Sequence, residues 1–253
     1  MSSTDTKCVI LAAGISTRLR PLTDELPKCL LEVNGNTLLK RMLDNLLTSG
    51  IQHIALVLGY RGEMVREYVK KQFPTHRFCF VRNPNYMSTN NAYSLLLARN
   101  FLENKEGQIV HPLLLLDSDI LFSKELLPFF LKDGKQDIVS VRVSGDHNIE
   151  EIRVQVDLEG YIQLIGKHVP LEMTYGESIG IELFSSRTTE KLYKILEDRI
   201  RNDNGRNEFY ESSFQEVIDR GSKLKAVDVS QFPSIEIDTL EDFERAQHLK
   251  VDS

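Results

Sequence analysis

Residues 8–14 read CVILAAG, a run of six apolar residues that ends at a glycine. A short, continuously apolar segment of this kind is typical of a strand that is buried on both faces of a sheet. The next periodic segment differs, because leucine and methionine recur every three to four positions over residues 38–47, and Gly50 follows them. That spacing predicts a helix with one apolar face. A buried strand followed by an amphipathic helix indicates an α/β fold.

The same alternation continues through the first half of the chain. Further strands are predicted over residues 54–58, 78–81 and 113–116, and helices over residues 62–73 and 92–102. Strands that alternate with helices at this spacing form βαβ units around a mostly parallel sheet with helices on both faces. We therefore expect a Rossmann-like α/β fold with a mixed sheet, in which ligands bind beyond the carboxyl ends of the strands.

The second half of the chain follows a different pattern. Residues 152–156 and 161–165 flank the turn signal DLEG, which predicts an antiparallel hairpin. No linker-like stretch separates the two halves, so we interpret residues 1–253 as one domain that carries a small antiparallel insertion. The remaining predicted elements are strands over residues 177–184 and 224–229 and helices over residues 191–200, 209–220 and 240–249.

Composition excludes several classes of protein. Lys plus Arg number 31 against 37 Asp plus Glu, a net charge of -6, which argues against a general nucleic-acid coat protein. Cys8, Cys29 and Cys79 form no CxxC pair, so a disulfide framework or a zinc site is not expected. No apolar run approaches the roughly 18 residues that a membrane span requires. The sequence thus favours a cytoplasmic protein.

The residues after the first strand are suited to binding an anion. Residues 11–23 read LAAGISTRLRPLT, and Pro27 and Lys28 follow. Small residues let backbone N–H groups approach an anion closely, and a following helix N-terminus would add its dipole. Arg18 can donate two hydrogen bonds to a phosphate, and Lys28 can add a point charge. The string is neither a P-loop nor GxGxxG, and the alternative is an ordinary turn with a solvated arginine and lysine.

Acidic residues follow two of the strand-like segments. Asp117 and Asp119 come directly after the apolar run 113–116, where two carboxylates need a reason to lie two positions apart. A hard cation such as Mg²⁺ supplies one reason, and the N-cap of a helix supplies another. Asp238 has the same two interpretations, because residues 238–241, DTLE, have the spacing of a capping box before the last predicted helix.

The string at residues 11–28 closely resembles the signature of the nucleotidyltransferases that activate sugar phosphates and small phospho-alcohols. The resemblance covers most of the chain and implies the Rossmann-like nucleotidyltransferase fold. It also implies that the first loop wraps a nucleoside triphosphate, that residues 90–94 belong to a base-recognition loop, and that Asp119 and Asp238 bind the metal. The nucleotide-binding residues that it implies are Leu11, Ala12, Ala13, Gly14, Arg18, Lys28, Asn90, Asn91, Ser94 and Asp117.

Three segments are most similar to the cytidylyltransferase branch of that family. They are residues 90–95, GESIG at residues 176–180 and IEID at residues 235–238. The branch includes bacterial choline-phosphate and 2-aminoethylphosphonate cytidylyltransferases. The resemblance therefore implies CTP as the nucleotide, Mg²⁺ as the metal, and a small phosphate or phosphonate as the acceptor. Residues of about 5–145 would form the nucleotide-binding half, and residues of about 146–253 the acceptor-binding half.

The sequence suggests how such a reaction would proceed. The six histidines form no HxH or HxxxH pair, so no poised general base is evident. An acceptor phosphate or phosphonate needs none, because its second pKa is about 6 and it is largely ionised near pH 7. The reaction then requires alignment of two anions and neutralisation of charge on the transferring phosphorus. We expect Arg18, Lys28, Asp119 and Asp238 to be the catalytic residues.

The acceptor site is expected in the second half of the chain. Lys167 is a candidate for holding the acceptor phosphate, and Tyr175 and Glu177 for holding the rest of the molecule. A quaternary ammonium is usually bound by an aromatic cage in which Trp is the best ring, and the chain has no Trp. A primary ammonium instead needs a carboxylate. This comparison ranks 2-aminoethylphosphonate slightly above phosphocholine, and both above sugar 1-phosphates. Other candidates are Tyr86, Phe209 and Tyr210 for a cage, and Glu208 and Glu211 for a carboxylate.

Several alternatives stay open at the level of sequence. A sugar-1-phosphate nucleotidyltransferase shares the signature, and a glycosyltransferase that uses nucleotide sugars shares the DxD pattern of residues 117–119. A silent regulatory subunit is expected to lack Arg18, Lys28 or a metal carboxylate. The expected partners are CTP and a small acceptor, without nucleic acid or membrane. The oligomeric state is left open, a homodimer being one option.

Overall fold

The computed structural model describes residues 5–132, 137–143, 151–201 and 205–251. The strands in this part of the chain are β1 (Lys7–Ala12), β2 (Glu32–Val33), β3 (Asn36–Thr37), β4 (His53–Leu58), β5 (Phe78–Arg82), β6 (Leu113–Asp117), β7 (Ile120–Phe122), β8 (Ile138–Arg142), β9 (Arg153–Val156), β10 (Ile162–Gly166), β11 (Gly176–Phe184), β12 (Lys225–Asp228) and β13 (Ser234–Glu236). The helices are α1 (Leu38–Thr48), α2 (Gly62–Gln72), α3 (Asn91–Leu97), α4 (Arg99–Leu102), α5 (Leu126–Leu131), α6 (Ser186–Arg201), α7 (Glu211–Asp219) and α8 (Leu240–His248).

Strand β1 lies inside a mixed sheet whose order is β10-β9-β11-β6-β1-β4-β5, with β8 paired to β11 and β12 paired to β8. It pairs in parallel with β4 on one side and with β6 on the other, so that Val9 lies opposite both Ala55 and Leu115. All three of these residues have no exposed surface. The continuously apolar sequence of β1 therefore reflects burial on both faces, as expected for a parallel sheet.

Helices cover both faces of this sheet. Cys8 and Ile10 of β1 pack in one apolar cluster with residues of α1, α2 and α5, while Val9 and Leu11 pack in a second cluster with residues of α3, α6 and α7. Successive side chains of a strand point to opposite faces, which explains why neighbours in β1 belong to different clusters. The predicted α/β fold with a mixed sheet and helices on both faces is confirmed.

The antiparallel part of the sheet is organised around β11. This strand pairs antiparallel with β6, β8 and β9, and β9 pairs antiparallel with β10. The hairpin predicted from the DLEG turn is thus β9–β10. It is hydrogen-bonded through β11 into the main sheet rather than forming a separate layer. Strands from both halves of the chain therefore belong to one continuous sheet.

Two helices differ from the sequence expectation. The helix predicted over residues 92–102 is divided into α3 and α4 at Ala98, and α6 begins at Ser186, before the predicted start. Polar residues at the start of α6 obscure its apolar face, which recurs only further along the helix. Among the described residues, none of the helices combines the length and the apolar content that crossing a bilayer requires.

The sequence pattern does not indicate the pair of three-residue strands β7 and β13. Strand β13 pairs antiparallel with β7, so that Glu236 lies opposite Ile120, and the Ile237 N–H donates to the Asp119 carbonyl at 3.1 Å. Segments this short show no hydrophobic period, which explains why the sequence pattern does not indicate them. The pairing brings residues 236–238 beside residue 119, which lies more than a hundred positions earlier in the chain.

Candidate active site

A cavity of about 1040 Å³ opens beyond the carboxyl ends of β1 and β6. This is the edge of the sheet at which an α/β fold binds its ligands. The structure brings almost all of the predicted site residues to this cavity. Those that line it are Leu11, Ala12, Ala13, Gly14, Arg18, Lys28, Asn90, Asn91, Ser94, Asp117, Asp119, Lys167, Glu177 and Asp238. Tyr175 is not among the lining residues.

The loop after β1 is held by backbone hydrogen bonds from two other elements. The Ser118 N–H donates to the Leu11 carbonyl at 3.2 Å, and the Tyr60 N–H donates to the Ala13 carbonyl at 3.1 Å. The loop then forms a three-residue 3₁₀ turn, Thr17–Leu19, instead of the expected longer helix. The expectation of a helix dipole directed at an anion here is therefore wrong, because one short turn aligns few peptide dipoles. Any anion would rely on loop N–H groups and basic side chains.

Lys28 lies between two of the predicted catalytic carboxylates. Its side chain is 7% exposed, and its Nζ is 2.8 Å from Asp119 Oδ2 and 2.6 Å from Asp238 Oδ1. Burial alone would lower the Lys28 pKa, but the two carboxylates outweigh burial and raise it. Arg18 Nη2 lies 2.7 Å from Asp238 Oδ2. For Asp238, burial favours a higher pKa, yet Lys28 and Arg18 together lower it.

Three carboxylates converge next to Lys28. Ligand atoms of Asp119, Glu236 and Asp238 all lie within 4.8 Å of one another. Asp119 Oδ1 is buried without a hydrogen-bond partner. Glu236 is exposed to solvent, yet the surrounding protein atoms and the negative charges of Asp119 and Asp238 raise its pKa. Hard oxygen donors that repel one another and include an unpaired oxygen suit a divalent cation such as Mg²⁺.

Glu236 was not selected from the sequence as a site residue, although it is part of the IEID segment. Glu236 ends β13, and Asp238 lies two positions later. Because alternate residues of an extended segment point to the same side, residues 236 and 238 can face one cavity together. The alternation of acidic and apolar residues in IEID is the signal that could have identified Glu236.

The capping box at the start of α8 lies one residue later than the sequence spacing indicated. Thr239, rather than Asp238, is the N-cap, and its partner is Asp242 rather than Glu241. The Asp242 N–H donates to Thr239 Oγ1 at 3.2 Å, and the Thr239 N–H donates to Asp242 Oδ2 at 2.9 Å. The helix is therefore capped without the Asp238 side chain, which is directed to Lys28 and Arg18 instead.

Replacing Thr239 by alanine should lower the free energy of unfolding by about 1 kcal/mol, because an N-cap hydrogen bond is lost. Urea unfolding monitored by circular dichroism measures this change. Thr75→Ala is the matched control, since Thr75 is exposed and its side chain is hydrogen-bonded to the neighbouring His76. Equal midpoints for the two variants would show that the capping box contributes nothing to stability.

The residues expected to recognise the base lie at the start of α3. Asn90 is the N-cap of α3, and its side chain accepts a hydrogen bond from the Asn91 N–H at 2.8 Å. Asn91 Oδ1 accepts from the Tyr210 N–H at 2.9 Å, and Ser94 Oγ accepts from Asn83 Nδ2 at 3.0 Å. Helix capping and a place in the cavity wall therefore coexist in Asn90.

Asp117 also lines the cavity, and its side chain accepts a hydrogen bond from a buried tyrosine. Tyr210 Oη donates to Asp117 Oδ2 at 2.6 Å. The pKa of Asp117 is raised mainly by burial and further by the charge of Asp119. Gly180 approaches it closely at a φ of +72°, and a β-carbon on this glycine would lie 2.9 Å from Asp117 Oδ2. This contact explains the final glycine of the GESIG segment.

The acceptor residues expected from the sequence have different surroundings. Glu177 is buried, and its Oε1 accepts a hydrogen bond from Arg142 Nη1 at 2.8 Å. The Lys167 Nζ lies 5.2 Å from the centroid of the Phe209 ring. Tyr175 lies just before β11, where its N–H donates to the Val154 carbonyl, and its side chain is at the surface outside the cavity.

The aromatic residues considered for a cage are not gathered at one point. Tyr86 and Phe209 line the cavity. Tyr210 has no exposed surface and is hydrogen-bonded to Asp117, so its ring cannot enclose a ligand. Glu208 is ion-paired with Arg199 at 2.6 Å and is not part of the wall. With Tyr175 counted as a fourth candidate ring, only Tyr86 and Phe209 face the cavity, and of the two alternative carboxylates only Glu211 does.

Comparison with known proteins identifies the family. The family model described as nucleotidyl transferase matches residues 7–151, which is more than half of the chain. The chain belongs to this family. The matched residues of this nucleotidyltransferase include the loop between β1 and Lys28, which forms one wall of the cavity. The expectation of an enzyme of this class is confirmed.

The chain is similar to curated relatives that are named as cytidylyltransferases, and it shares its fold with solved structures. The chain is 29% identical over 193 residues to the 2-aminoethylphosphonate cytidylyltransferase of Lancefieldella rimae, covering 76% of this chain and 72% of that one. It is 27% identical to the CTP:phosphoglutamine cytidylyltransferase of Campylobacter jejuni, covering 93% of this chain and 97% of that one. The structure of CTP:phosphocholine cytidylyltransferase from Streptococcus pneumoniae shares the fold, with a TM-score of 0.79, 23% identity and coverage of 96% and 98%.

Proposed function

We propose that this nucleotidyltransferase is a Mg²⁺-dependent cytidylyltransferase that transfers CMP from CTP to a small phosphonate or phospho-alcohol with a cationic head group. The observation that carries the proposal is the position of Lys28, which contacts Asp119 and Asp238 at 2.8 and 2.6 Å beside the loop of residues 11–14. A basic loop facing an acidic triad supplies the opposite charges that a nucleoside triphosphate and its metal require.

In the proposed reaction, an oxygen of the acceptor phosphonate attacks the α-phosphorus of CTP. The new bond joins that oxygen to the α-phosphorus, and the bond from the α-phosphorus to the bridging oxygen breaks, so that pyrophosphate leaves. The acceptor is ionised near pH 7, since its second pKa is about 6, and no proton has to be removed. The described residues that line the cavity include no histidine, in agreement with a reaction that needs no general base.

The proposed roles follow from position and charge. Lys28 and Arg18 would lie along the triphosphate and neutralise the charge that develops on it. The loop of residues 11–14 would approach the phosphates with its backbone N–H groups, and Asn90, Asn91 and Ser94 would contact the base. Asp117 would support the floor of the nucleotide site. Lys167 would hold the acceptor phosphate.

Asp119 and Asp238 are proposed to hold the metal, with Glu236 as a third candidate. A bound Mg²⁺ would polarise the reacting phosphoryl group and neutralise its charge. The unpaired Oδ1 of Asp119 and the mutual repulsion within the triad are the observations that support this assignment. Lys28 contacts two of these carboxylates, Asp119 and Asp238, and so offsets part of their charge before the metal and the nucleotide bind.

Two observations support CTP and a small cationic acceptor. The names of the relatives from Lancefieldella rimae and Campylobacter jejuni describe cytidylyltransferases. The wall expected to receive the acceptor combines Lys167 with the carboxylates Glu177 and Glu211. This combination suits a zwitterion, with an anionic phosphonate and a cationic amine. With two rings instead of a full cage, we rank 2-aminoethylphosphonate above phosphocholine.

The proposed positions of the two substrates assign a different role to each half of the chain. Residues 5–145 would bind the nucleotide, and residues 146–253 would bind the acceptor while supplying Asp238 to the metal. A single domain of residues 1–253 is proposed on this basis.

The proposed function is tested by a pyrophosphate-release screen with Mg²⁺ present. Four nucleoside triphosphates are crossed with 2-aminoethylphosphonate, phosphocholine and several sugar 1-phosphates. We expect release with CTP and an ammonium-bearing acceptor, and its loss when EDTA removes the metal. Turnover of a sugar 1-phosphate alone would instead assign the chain to the sugar-nucleotide branch. Binding of CTP without turnover of any acceptor would indicate a silent regulatory subunit.

A further inference from the structure

Three carboxylic acids lie in or directly behind the acceptor wall of the cavity, two of which, Asp117 and Glu211, line it. They are Asp117, Glu182 and Glu211. Burial is the main cause of the raised pKa of Glu182, and the charges of Asp117 and Glu211 add to it, while Glu211 also adds to the raised pKa of Asp117. Glu182 has no exposed surface, and its Oε2 lacks a hydrogen-bond partner. In the described part of the chain, no ion pair involves any of these three residues. The raised pKa values of Asp117, Glu182 and Glu211 mean that the ionised form of each carboxyl group is disfavoured unless a cation or a hydrogen-bond donor reaches it.

Glu211 is the member of this group that combines burial with a place in the cavity wall. It is the first residue of α7, and it is 6% exposed. Its Oε2 is buried and has no hydrogen-bond partner. Burial raises its pKa to about 7, and the charge of Glu236 adds to this effect, whereas its own N–H and Lys167 act in the opposite direction. A buried carboxylate oxygen without a donor is costly unless a ligand supplies one.

Glu177 differs from Glu211 because its carboxylate is already occupied. Arg142 donates to Glu177 Oε1 at 2.8 Å, and the same guanidinium donates to the Ser234 carbonyl at 2.8 Å. Ser234 begins β13, the strand that leads to Glu236 and Asp238. The Glu177–Arg142 pair therefore braces the segment that carries the acidic triad. This gives Glu177 a structural function that does not require a ligand.

We propose that Glu211 binds the primary ammonium group of the acceptor, while Lys167 binds the phosphonate at the other end of the same molecule. This inference rests on the proposed function and deepens it by assigning the residue that selects the acceptor. Lys167 and Glu211 interact electrostatically and line the same cavity, so one short zwitterion can contact both. The carboxylate then gains the donor that it lacks, in the form of a charge-assisted hydrogen bond.

The chemistry of Glu211 favours an N–H donor over other cations. A metal ion requires several converging ligand atoms, and among the described residues the one such group is the triad of Asp119, Glu236 and Asp238. A quaternary ammonium has no N–H to donate and depends on aromatic faces. The Phe209 ring next to this wall is already in contact with Lys167. A primary amine is the class of cation that matches an unpaired oxygen.

The test compares two acceptors of almost the same shape, 2-aminoethylphosphonate and propylphosphonate, which has a methyl group in place of the ammonium. Pyrophosphate release is measured at saturating CTP for the wild type, Glu211→Gln and Glu177→Gln. For Glu211→Gln we expect kcat/KM on the amine to fall on the order of 10–100-fold through a higher KM, with little change on propylphosphonate. For Glu177→Gln we expect similar losses on both acceptors, because the brace on β13 weakens.

Three outcomes overturn the inference. Equal losses on both acceptors in Glu211→Gln would mean that Glu211 has only a structural role. A selective loss of the amine in Glu177→Gln, with Glu211→Gln unaffected, would assign the ammonium to Glu177. A wild type that does not prefer the amine over propylphosphonate would mean that no carboxylate selects it. Failure of the proposed function is distinct, since the wild type would then release no pyrophosphate with CTP and any acceptor.

Discussion

Asp119→Asn and Asp238→Asn should each lower turnover by about 100-fold or more, which corresponds to roughly 2.7 kcal/mol of transition-state stabilisation. Each change removes a negative charge and a ligand oxygen from the acidic triad, whose ligand atoms lie within 4.8 Å of one another. The fold should survive, because Lys28 keeps one carboxylate partner in either variant. Initial rates of pyrophosphate release, with circular dichroism as the check on folding, measure both effects.

Asp44→Asn is the matched control for these variants. Asp44 also accepts a lysine hydrogen bond, from Lys40 at 2.6 Å, but it lies on α1 outside the cavity. We expect its turnover to equal that of the wild type. Near-normal turnover of Asp238→Asn would show that the residue is not a metal ligand. Because Thr239 and Asp242 form the capping box, a loss of stability in that variant would report the ion pairs to Lys28 and Arg18.

Lys28→Met should reduce kcat by about 100- to 1000-fold while raising the apparent KM for CTP much less. The substitution removes the charge but keeps most of the apolar volume of a side chain that is 7% exposed. Charge on the phosphates increases toward the transition state, so a preorganised ammonium contributes more there than in the ground state. Steady-state kinetics at several CTP concentrations separate the two effects.

Lys40→Met serves as the control for this substitution, because Lys40 is paired with Asp44 on α1 and does not line the cavity. It should leave kcat and KM unchanged. A pure rise in KM with an unchanged kcat for Lys28→Met would mean that the lysine attracts the nucleotide without acting on the chemical step. Loss of the folded structure would show instead that Lys28 is needed to neutralise Asp119 and Asp238.

Much of the fold can be predicted from the sequence because it depends on local patterns. The apolar run of β1, the helical stripe of α1 and the turn before β10 each occupy fewer than a dozen consecutive residues. A strand buried on both faces, a helix with one apolar face and a tight turn each have a different sequence pattern. These patterns can be recognised without knowing which elements they pack against. The residue types of the loop that follows β1 are compatible with an anion site or with an ordinary turn, and the resemblance of the whole string to the nucleotidyltransferase signature favours the former.

The composition of the site itself depends on long-range pairing. Glu236 lies beside Asp119 because β13 pairs with β7. Each of these strands has three residues, which is too short for a hydrophobic period that would predict the pairing. Helix α8 begins four residues after β13, and its N-cap is Thr239 rather than Asp238, the residue that the sequence spacing indicates. A shift of one residue in the N-cap decides whether the Asp238 carboxylate caps the helix or faces the cavity. Sequence spacing does not define a helix boundary to within one residue.

The sequence by itself determined that this protein is an α/β nucleotidyltransferase with a basic loop after its first strand and acidic residues after later strands. Only the tertiary structure decided which side chains are already satisfied. Tyr210 and Glu177 have the right residue types for an acceptor site, but Asp117 and Arg142 occupy them. The sequence offers Glu211 only as one of several candidate carboxylates, whereas in the folded chain burial leaves its Oε2 without a donor. Residue type records what a side chain can bind, whereas its availability depends on neighbours that the folded chain brings from distant positions.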